Sequence, residues 1–255
     1  MSEHHYFKFS NAVVIAPLGA MLCIWTVFWI ELQFHVNLNQ YGVFPRTFSG
    51  LRGVVFSPFI HGSVEHLYNN TIPLAILMAS LFYFYRKIAL KVLFWGVLLS
   101  GLLTWGIGRP SYHIGASGVI YVLASFVFFK GIFTKYYRLV ALSLIVVFIY
   151  GSLLWYIFPI KDDISWEGHL GGFVTGLLLA ILMEAKIPSP KKFAWEHDDY
   201  NEEEDEFLKQ FDKDGNFIET RPEDIAQAEE PTQIIYHYRA RDKKQPGDTN
   251  KETKD

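Results

Sequence analysis

Six long apolar segments constrain the fold of this 255-residue chain more than any other feature of its sequence. A helix needs about 20 mostly apolar residues to cross a hydrocarbon core about 30 Å thick. Segments that meet this requirement lie at about 11–34, 66–85, 88–106, 116–133, 138–157 and 166–184. Lipid cannot satisfy exposed backbone hydrogen-bonding groups, so each segment is expected to be helical. The pattern predicts an all-α membrane protein with a bundle of six transmembrane helices.

Charge divides the chain into a slightly basic apolar body and an acidic tail. Residues 1–192 carry 14 Lys and Arg against 7 Asp and Glu, whereas residues 193–255 carry 9 against 19. Such an asymmetry is typical of a membrane domain with a solvated extension. We predict an N-terminus over 1–10, a six-span domain over 11–186 with an outer loop at 35–65, and a mostly disordered acidic C-terminal tail over 187–255. Within that tail, residues 212–216 lack the spacing of an EF-hand and indicate a simple turn.

The orientation follows from the basic residues between the spans. With the N-terminus inside, the segments that face the cytoplasm carry ten Lys and Arg, and the segments that face outward carry four. We therefore predict that both termini are cytoplasmic. The expected location is a bacterial inner (plasma) membrane, in which the chain is an integral multi-pass protein.

Four polar residues lie near the outer ends of the second, fourth and sixth spans: His66, Asn70, Ser117 and His169. Polar and ionisable groups are costly inside a membrane and are functional candidates by default. At a rise of about 1.5 Å per residue, counted from the first charge near the inner end of each span, Ser117 lies about 10 Å below the outer edge of the core. The same count gives about 8 Å for His169 and about 6 Å for Asn70. Residues far apart in sequence are thus expected to converge at one depth.

This convergence indicates nucleophilic chemistry. A serine hydroxyl becomes a strong nucleophile when a base accepts its proton, and a neutral His169 within about 3 Å of Ser117 could be that base. His66 and Asn70 are four residues apart, so they share one helix face and could donate hydrogen bonds to an oxyanion. A His66–Asn70 pair that merely satisfies itself is an equally open reading.

Glycines accompany both halves of this site. Gly115 and Gly118 flank Ser117, and Gly172 and Gly176 form a small-xxx-small face on the sixth span. Taken alone, such glycines indicate close helix packing. The same packing would bring a short serine side chain to a histidine on a neighbouring helix.

Two other readings apply to the polar residues. His61, His66 and His169 could bind zinc, but the sequence has no H-E-x-x-H motif and only Glu65 directly before His66, so no metal site is predicted. His113 is a rival base and ranks second, because a loop position favours exposure to solvent.

Two further residues near the site have open or unsupported roles. Glu167 is two residues from His169 and would point elsewhere on a helix, so a third, acidic member of the site is not supported. Tyr121 lies one turn after Ser117 and either fills the core or packs beneath the base.

The residues that carry a family resemblance fall in three motifs. They are His61-x4-His66-x3-Asn70, Gly115-Ala116-Ser117-Gly118 and Gly168-His169-x2-Gly172-x3-Gly176. With these motifs in the second, fourth and sixth spans, the chain resembles the rhomboid intramembrane serine proteases over about residues 11–186. The acidic tail is outside the resemblance.

The resemblance implies a serine–histidine dyad without an acid. By position, Ser117 matches the nucleophile and His169 the general base, while His66 and Asn70 match the side-chain oxyanion donors. Tyr121 matches an aromatic residue that packs against the catalytic histidine.

The region of the first outer loop matches the family less completely. His61 matches a histidine with a supporting structural role, and the long loop is similar to the family's membrane-embedded loop. A tryptophan–arginine pair often seen in that loop has no clear counterpart here, and Pro45-Arg46 is the nearest feature.

We therefore expect an intramembrane serine endopeptidase that cleaves peptide bonds in or near transmembrane segments of other proteins. The implied partners are transmembrane protein substrates and the lipid bilayer, with no cofactor, metal or nucleic acid. A non-catalytic relative that only binds substrate helices would lack a dyad residue, and both are present. A transporter would place paired charges at the midplane, and the predicted spans contain none.

Overall fold

The computed structural model describes residues 9–149, 155–161, 164–185 and 193–218. Its α-helices are α1 (Ala12–Phe34), α2 (Gly53–Phe56), α3 (Val64–Phe84), α4 (Ala89–Ile107), α5 (Ser117–Phe133), α6 (Tyr137–Ile149) and α7 (Trp166–Leu182). Within these residues the β-structure is confined to two isolated bridges, Val43 with His113 and Phe211 with Phe217. The prediction of an all-α fold is confirmed for the part of the chain that the structure describes.

Apolar helices lie at all six predicted segments, but they differ in length. By length and composition α1, α3 and α4 can each cross a membrane. The other three are apolar but shorter, with 17 residues in α5, 13 in α6 and 17 in α7. A helix is therefore present at each predicted segment, whereas the count of six spans stays a prediction.

The fifth segment departs most from its predicted bounds. A helix was expected over 138–157, but α6 ends at Ile149 within the described residues. Residues 150–154 lie outside them, and Trp155–Ile157 forms a 3-10 turn. Pro159 follows this turn closely, and a proline disfavours helix in the residues before it.

Serine caps fix the start of two helices that carry polar residues. The Ser63 side chain accepts a hydrogen bond from the backbone N–H of His66 at the start of α3. In the same way, the Ser165 side chain accepts from the N–H of Gly168 at the start of α7. Such N-caps satisfy donors that have no partner within the helix. They place His66 and His169 in the first turn of their helices.

Helix α5 lies at the centre of the bundle and packs against α3, α4, α6 and α7. Glycines on α7 allow its backbone to approach α5 closely. A Cβ atom at Gly172 would lie 2.3 Å from the Gly118 carbonyl oxygen, and one at Gly176 would lie 2.4 Å from that of Val122. Only glycine fits such distances, so these two positions set the spacing of the helix pair.

The C-terminal ends of α5 and α7 are joined by a buried lysine. Lys130 donates hydrogen bonds from Nζ to the carbonyl oxygens of Ala180, at 3.0 Å, and of Met183. These carbonyls belong to the end of α7, where the helix dipole is negative. Lys130 thus neutralises a helix terminus instead of reaching into solvent.

The first outer loop is ordered and packs on the end of α4. Val43 and His113 exchange two backbone hydrogen bonds, of 3.0 and 2.9 Å. The Arg46 guanidinium donates to the carbonyl oxygen of Gly108 at 2.8 Å. From α4, the indole N–H of Trp105 donates to the Thr47 carbonyl at 2.8 Å. Arg46 therefore fixes the loop to the end of α4. The tryptophan that bonds to the loop, Trp105, belongs to α4 and not to the loop itself.

A second compact unit comprises Lys191–Asp255, separate from Met1–Pro190. In its described part, Phe211 and Phe217 form a bridge, and between them Asp212 Oδ1 accepts from the N–H groups of Asp214 and Asn216 at 2.9 and 2.8 Å. The simple turn predicted here is confirmed. The predicted disorder of the tail falls largely on 187–192 and 219–255, outside the described residues, as do residues 1–8.

Candidate active site

The structure brings Ser117 and His169 into contact. Ser117 is the first residue of α5 and His169 is the fourth of α7. The Ser117 Oγ lies 2.9 Å from Nε2 of His169. The other ring nitrogen, Nδ1, lies 2.9 Å from the carbonyl oxygen of Tyr156. A carbonyl can only accept, so Nδ1 carries the proton and Nε2 is free to accept from the serine hydroxyl.

Two tyrosines hold the His169 imidazole in this orientation. The Tyr121 ring stacks on it with centroids 4.3 Å apart and an angle of 19° between the planes. The Tyr156 main chain accepts from Nδ1 and so fills the place that a carboxylate occupies in a three-residue site. Tyr121 is buried and also stacks on the histidine, so both sequence-based readings of Tyr121 are seen. The role of the Tyr156 carbonyl was missed, because a backbone acceptor leaves no signal in a sequence.

Glu167 makes no hydrogen bond to the imidazole in the described structure. Its Oε1 accepts from the backbone N–H of Arg109 at 3.0 Å and lies 3.6 Å from the Arg109 Nε. The geometry agrees with the sequence-based exclusion of Glu167 as a direct partner of His169.

Two polar side chains of α3, those of Asn70 and His66, line the same pocket as Ser117. Asn70 is only 5% exposed, and its Nδ2 has no hydrogen-bond partner among the described residues. A buried donor without a partner is costly, and it marks a place where a ligand acceptor would be stabilised. His66, one turn earlier on α3, makes no side-chain hydrogen bond to Asn70 within the same residues. The reading of a self-satisfied His66–Asn70 pair is therefore wrong.

Gly115 brings the loop before Ser117 against this pocket. Its φ of +106° lies in a region that favours glycine. A Cβ there would lie 2.6 Å from His66 Nε2 and 3.5 Å from Asn70 Nδ2. Gly118, on the other side of the serine, faces the Gly168 carbonyl. Gly115 thus lets the loop before Ser117 lie against the His66 and Asn70 side chains.

His61 contacts the same loop through its imidazole ring. It is buried, its Nε2 accepts from the backbone N–H of Ala116 at 3.4 Å, and its Nδ1 donates to the Phe59 carbonyl at 3.4 Å. The His61 and His66 rings also pack in a T-shaped arrangement, with 5.1 Å between the ring centroids. His61 therefore contacts the residue directly before Ser117.

His113 is buried, with only 4% of its surface exposed, and the expectation of an exposed loop histidine is wrong. Its Nδ1 lies 2.6 Å from Ser165 Oγ and its Nε2 lies 3.1 Å from the Arg109 carbonyl oxygen. Burial lowers the pKa of His113, so the ring is neutral near pH 7. The outer loop covers this residue through the bridge at Val43, an effect that local sequence does not reveal. Both ring nitrogens are engaged away from Ser117.

A cavity of about 1070 Å³ adjoins the dyad. Its lining includes His66, Asn70, Ser117, Tyr121 and His169. One water molecule takes up about 30 Å³ in the liquid, so the cavity can hold a peptide segment together with water. Across the described part of the chain, no group of three or more His, Cys, Asp or Glu side chains is arranged to hold a metal ion.

The sequence is similar to a known domain family and to mycobacterial proteins. The Rhomboid domain matches residues 49–186. An uncharacterized protein of Mycobacterium bovis and one of Mycobacterium tuberculosis are each 36% identical over 160 residues, which cover 58% of this chain and 66% of the relative. An uncharacterized protein of Mycobacterium leprae is 30% identical over 182 residues, which cover 67% of this chain and 71% of the relative.

The chain spans 66% of the length of the first two relatives. The Rhomboid domain match, in contrast, covers more than half of the chain and contains each of the polar residues around the cavity. The chain therefore belongs to the rhomboid family of intramembrane serine proteases.

Proposed function

We propose that this protein is an intramembrane serine endopeptidase that uses Ser117 as nucleophile and His169 as general base. The observation that carries the proposal is the 2.9 Å contact between Ser117 Oγ and an imidazole whose Nδ1 is bound to a carbonyl. The Nε2 lone pair is thereby directed at the hydroxyl, as proton transfer requires. The substrates are transmembrane proteins, cut in or near their membrane-spanning segments.

Catalysis begins when Ser117 Oγ attacks the carbonyl carbon of the scissile peptide bond. The hydroxyl proton moves to Nε2 of His169, and a tetrahedral oxyanion forms. His169 then returns the proton to the leaving amine, which gives an acyl-enzyme. Water enters through the cavity, transfers a proton to His169 and attacks the ester carbonyl. His169 then returns this proton to Ser117 Oγ as the acid product leaves. Tyr121 and the Tyr156 carbonyl keep the imidazole in one orientation through both half-reactions.

Asn70 and His66 stabilise the oxyanion. The unpartnered Asn70 Nδ2 gains its hydrogen bond when charge develops on the substrate oxygen, so it favours the transition state over the ground state. One such donor is typically worth about 3–4 kcal/mol of barrier. Backbone N–H groups at the start of α5 add positive potential at the same place.

We also propose that α1 and α3–α7 all cross the membrane, so that residues 11–186 form one six-span domain with both termini in the cytoplasm. The excess of basic residues at the inner end supports this orientation. The tail over 187–255 is proposed to be a cytoplasmic appendage. The mycobacterial relatives support a bacterial inner membrane as the location of the protein.

Cleavage of a model single-span protein in liposomes tests the function. The purified wild-type protein should cut this substrate, whereas Ser117→Ala and His169→Ala should not. Ser125→Ala is a matched control, because Ser125 is a buried serine of α5 that donates to the Phe173 carbonyl at 2.7 Å, away from the cavity. Undiminished cleavage by Ser117→Ala would end the proposal.

A further inference from the structure

A second histidine–serine pair lies beside the dyad. His113 precedes Ser117 by four residues, and Ser165 precedes His169 by four. The His113 Nδ1 and Ser165 Oγ lie 2.6 Å apart. This pair joins the same two chain segments as the dyad, with the histidine and the serine exchanged between them.

The hydrogen bonds of this pair run in one direction. His113 Nε2 lies 3.1 Å from the Arg109 carbonyl oxygen, which can only accept, so Nε2 carries the ring proton. The Nδ1 atom must then accept from the Ser165 hydroxyl. Ser165 Oγ itself accepts from the backbone N–H of Gly168 at 3.3 Å. The chain of donors therefore leads from the residue before His169 to the loop before Ser117.

An ion pair makes a second connection between these segments. Glu167 is 1% exposed, and its Oε1 accepts from the Arg109 backbone N–H at 3.0 Å. The Arg109 side chain, 32% exposed, places Nε 3.6 Å from the same oxygen. Its Nη2 donates to the carbonyl of Ile164, just before α7. Arg109 thus binds both the first turn of α7 and the segment that leads into this helix.

We infer that Arg109, His113, Ser165 and Glu167 form a polar latch that positions His169 against Ser117. This inference rests on the proposed function and assigns the four as positioning residues. Each contact of the latch lies within a few residues of the nucleophile or the base, so it fixes the first turn of α7 relative to the start of α5. A misplacement of about 1 Å can lower a rate about 100-fold, so the geometry of this turn controls the rate.

The test measures initial rates of substrate cleavage by the full chain in liposomes. Ser165→Ala removes the hydroxyl that connects Gly168 to His113. We expect kcat to fall between about 10-fold and 100-fold while KM changes by less than about 2-fold, because the dyad and not substrate binding is displaced. Ser165→Thr keeps the hydroxyl and should recover most of kcat.

Ser125→Ala is the matched control for this variant also. It removes a serine hydroxyl from the same pair of helices, where Ser125 Oγ donates to the Phe173 carbonyl of α7 at 2.7 Å. Its kcat should stay within about 2-fold of wild type, because its bond lies more than a turn from the dyad. An equal fall in kcat for Ser125→Ala would contradict the latch, since any lost bond between α5 and α7 would then have the same effect.

A double-mutant cycle tests whether His113 and Ser165 act together. His113→Phe should lower kcat about as much as Ser165→Ala does. The kcat of the double variant should lie within about 3-fold of that of either single variant, because all three break the same chain of hydrogen bonds. The rate at which a fluorophosphonate labels Ser117 should fall in parallel with kcat, since labelling needs the dyad but no substrate. Effects that multiply in the double variant would contradict the latch.

Failure of the latch and failure of the proposed function are distinguishable. If the wild-type protein does not cleave, or Ser117→Ala cleaves equally well, the proposed function is wrong and the latch has no reaction to act on. If wild-type cleavage needs Ser117 but Ser165→Ala and His113→Phe match Ser125→Ala in kcat, only the latch is wrong.

Discussion

Gly172 is the position at which an added methyl group should most clearly separate the two halves of the site. A Cβ there would lie 2.3 Å from the Gly118 carbonyl oxygen and 2.8 Å from Tyr121 Cβ. At Gly118, on the facing helix, a Cβ would lie 3.5 Å from the Gly168 carbonyl oxygen, which is an ordinary contact. The same substitution, glycine to alanine, can therefore be made on both sides of one helix interface. We expect a large effect at Gly172 and a small effect at Gly118.

The size of the effect follows from these distances. Extending 2.3 Å to the 3.4 Å of an ordinary contact requires about 1.1 Å of movement between α5 and α7. Ser117 Oγ and His169 Nε2 are 2.9 Å apart, so this movement would stretch their bond beyond hydrogen-bonding range. Overpacking costs about 1–3 kcal/mol, and the helix propensity of alanine returns about 1 kcal/mol. The Gly172→Ala variant should thus fold with slightly reduced stability but lose about 100-fold in kcat.

The assay compares Gly172→Ala and Gly118→Ala for substrate cleavage in liposomes and for the midpoint of thermal unfolding. Gly118→Ala should keep kcat within about 3-fold and unfold at the same or a slightly higher temperature, because alanine favours the helix. Equal kcat values for the two variants would refute the assignment of Gly172 as the spacer of the dyad.

Three further predictions concern separate parts of the bundle. Asn70→Ala should lower kcat by about 100-fold to 1000-fold with little change in KM, and a kcat near that of wild type would remove Asn70 from the oxyanion pocket. Lys130→Met should lower the free energy of unfolding by about 1–3 kcal/mol, because the carbonyls of Ala180 and Met183 lose their donor, with kcat unchanged; unaltered thermal unfolding would contradict this. Burial lowers the pKa of His113 below its ordinary value of 6.5, so the unfolded chain binds a proton first and stability falls as the pH drops below 6.5. In His113→Phe, the decrease in unfolding temperature between about pH 7.5 and pH 5.5 should be smaller than in wild type, and an equal decrease would exclude this contribution.

The helices could be predicted from the sequence because lipid imposes a simple rule on length and polarity. The second segment, predicted at 66–85, is α3 (Val64–Phe84), and the fourth, predicted at 116–133, is α5 (Ser117–Phe133). The first outer loop followed no such rule. Its path depends on Arg46 and Val43, which contact residues about 60 and about 70 positions away, and no local pattern encodes such pairings.

The site was predictable where polar side chains stand out against apolar spans. Ser117, His169 and Asn70 were expected at one depth, and the structure brings them to one cavity, although their chemical roles stay proposals. The contacts that orient them were not predictable. The Tyr156 carbonyl has no side-chain signature, and His113 was expected in solvent because loops usually lie at the surface. Ser165 did carry a signal, since a serine directly before an apolar helical run is a typical N-cap.

The most direct test of the central claim is to identify the residue that becomes covalently modified. The purified full chain in lipid is treated with a fluorophosphonate, and the adduct is located by mass spectrometry of its peptides. Wild-type protein should carry the adduct on Ser117, Ser125→Ala should label at the same rate, and His169→Ala should label far more slowly because the hydroxyl loses its base. An adduct on another serine, or a rate in His169→Ala equal to that of wild type, would contradict the assignment of Ser117 and His169 as the catalytic dyad.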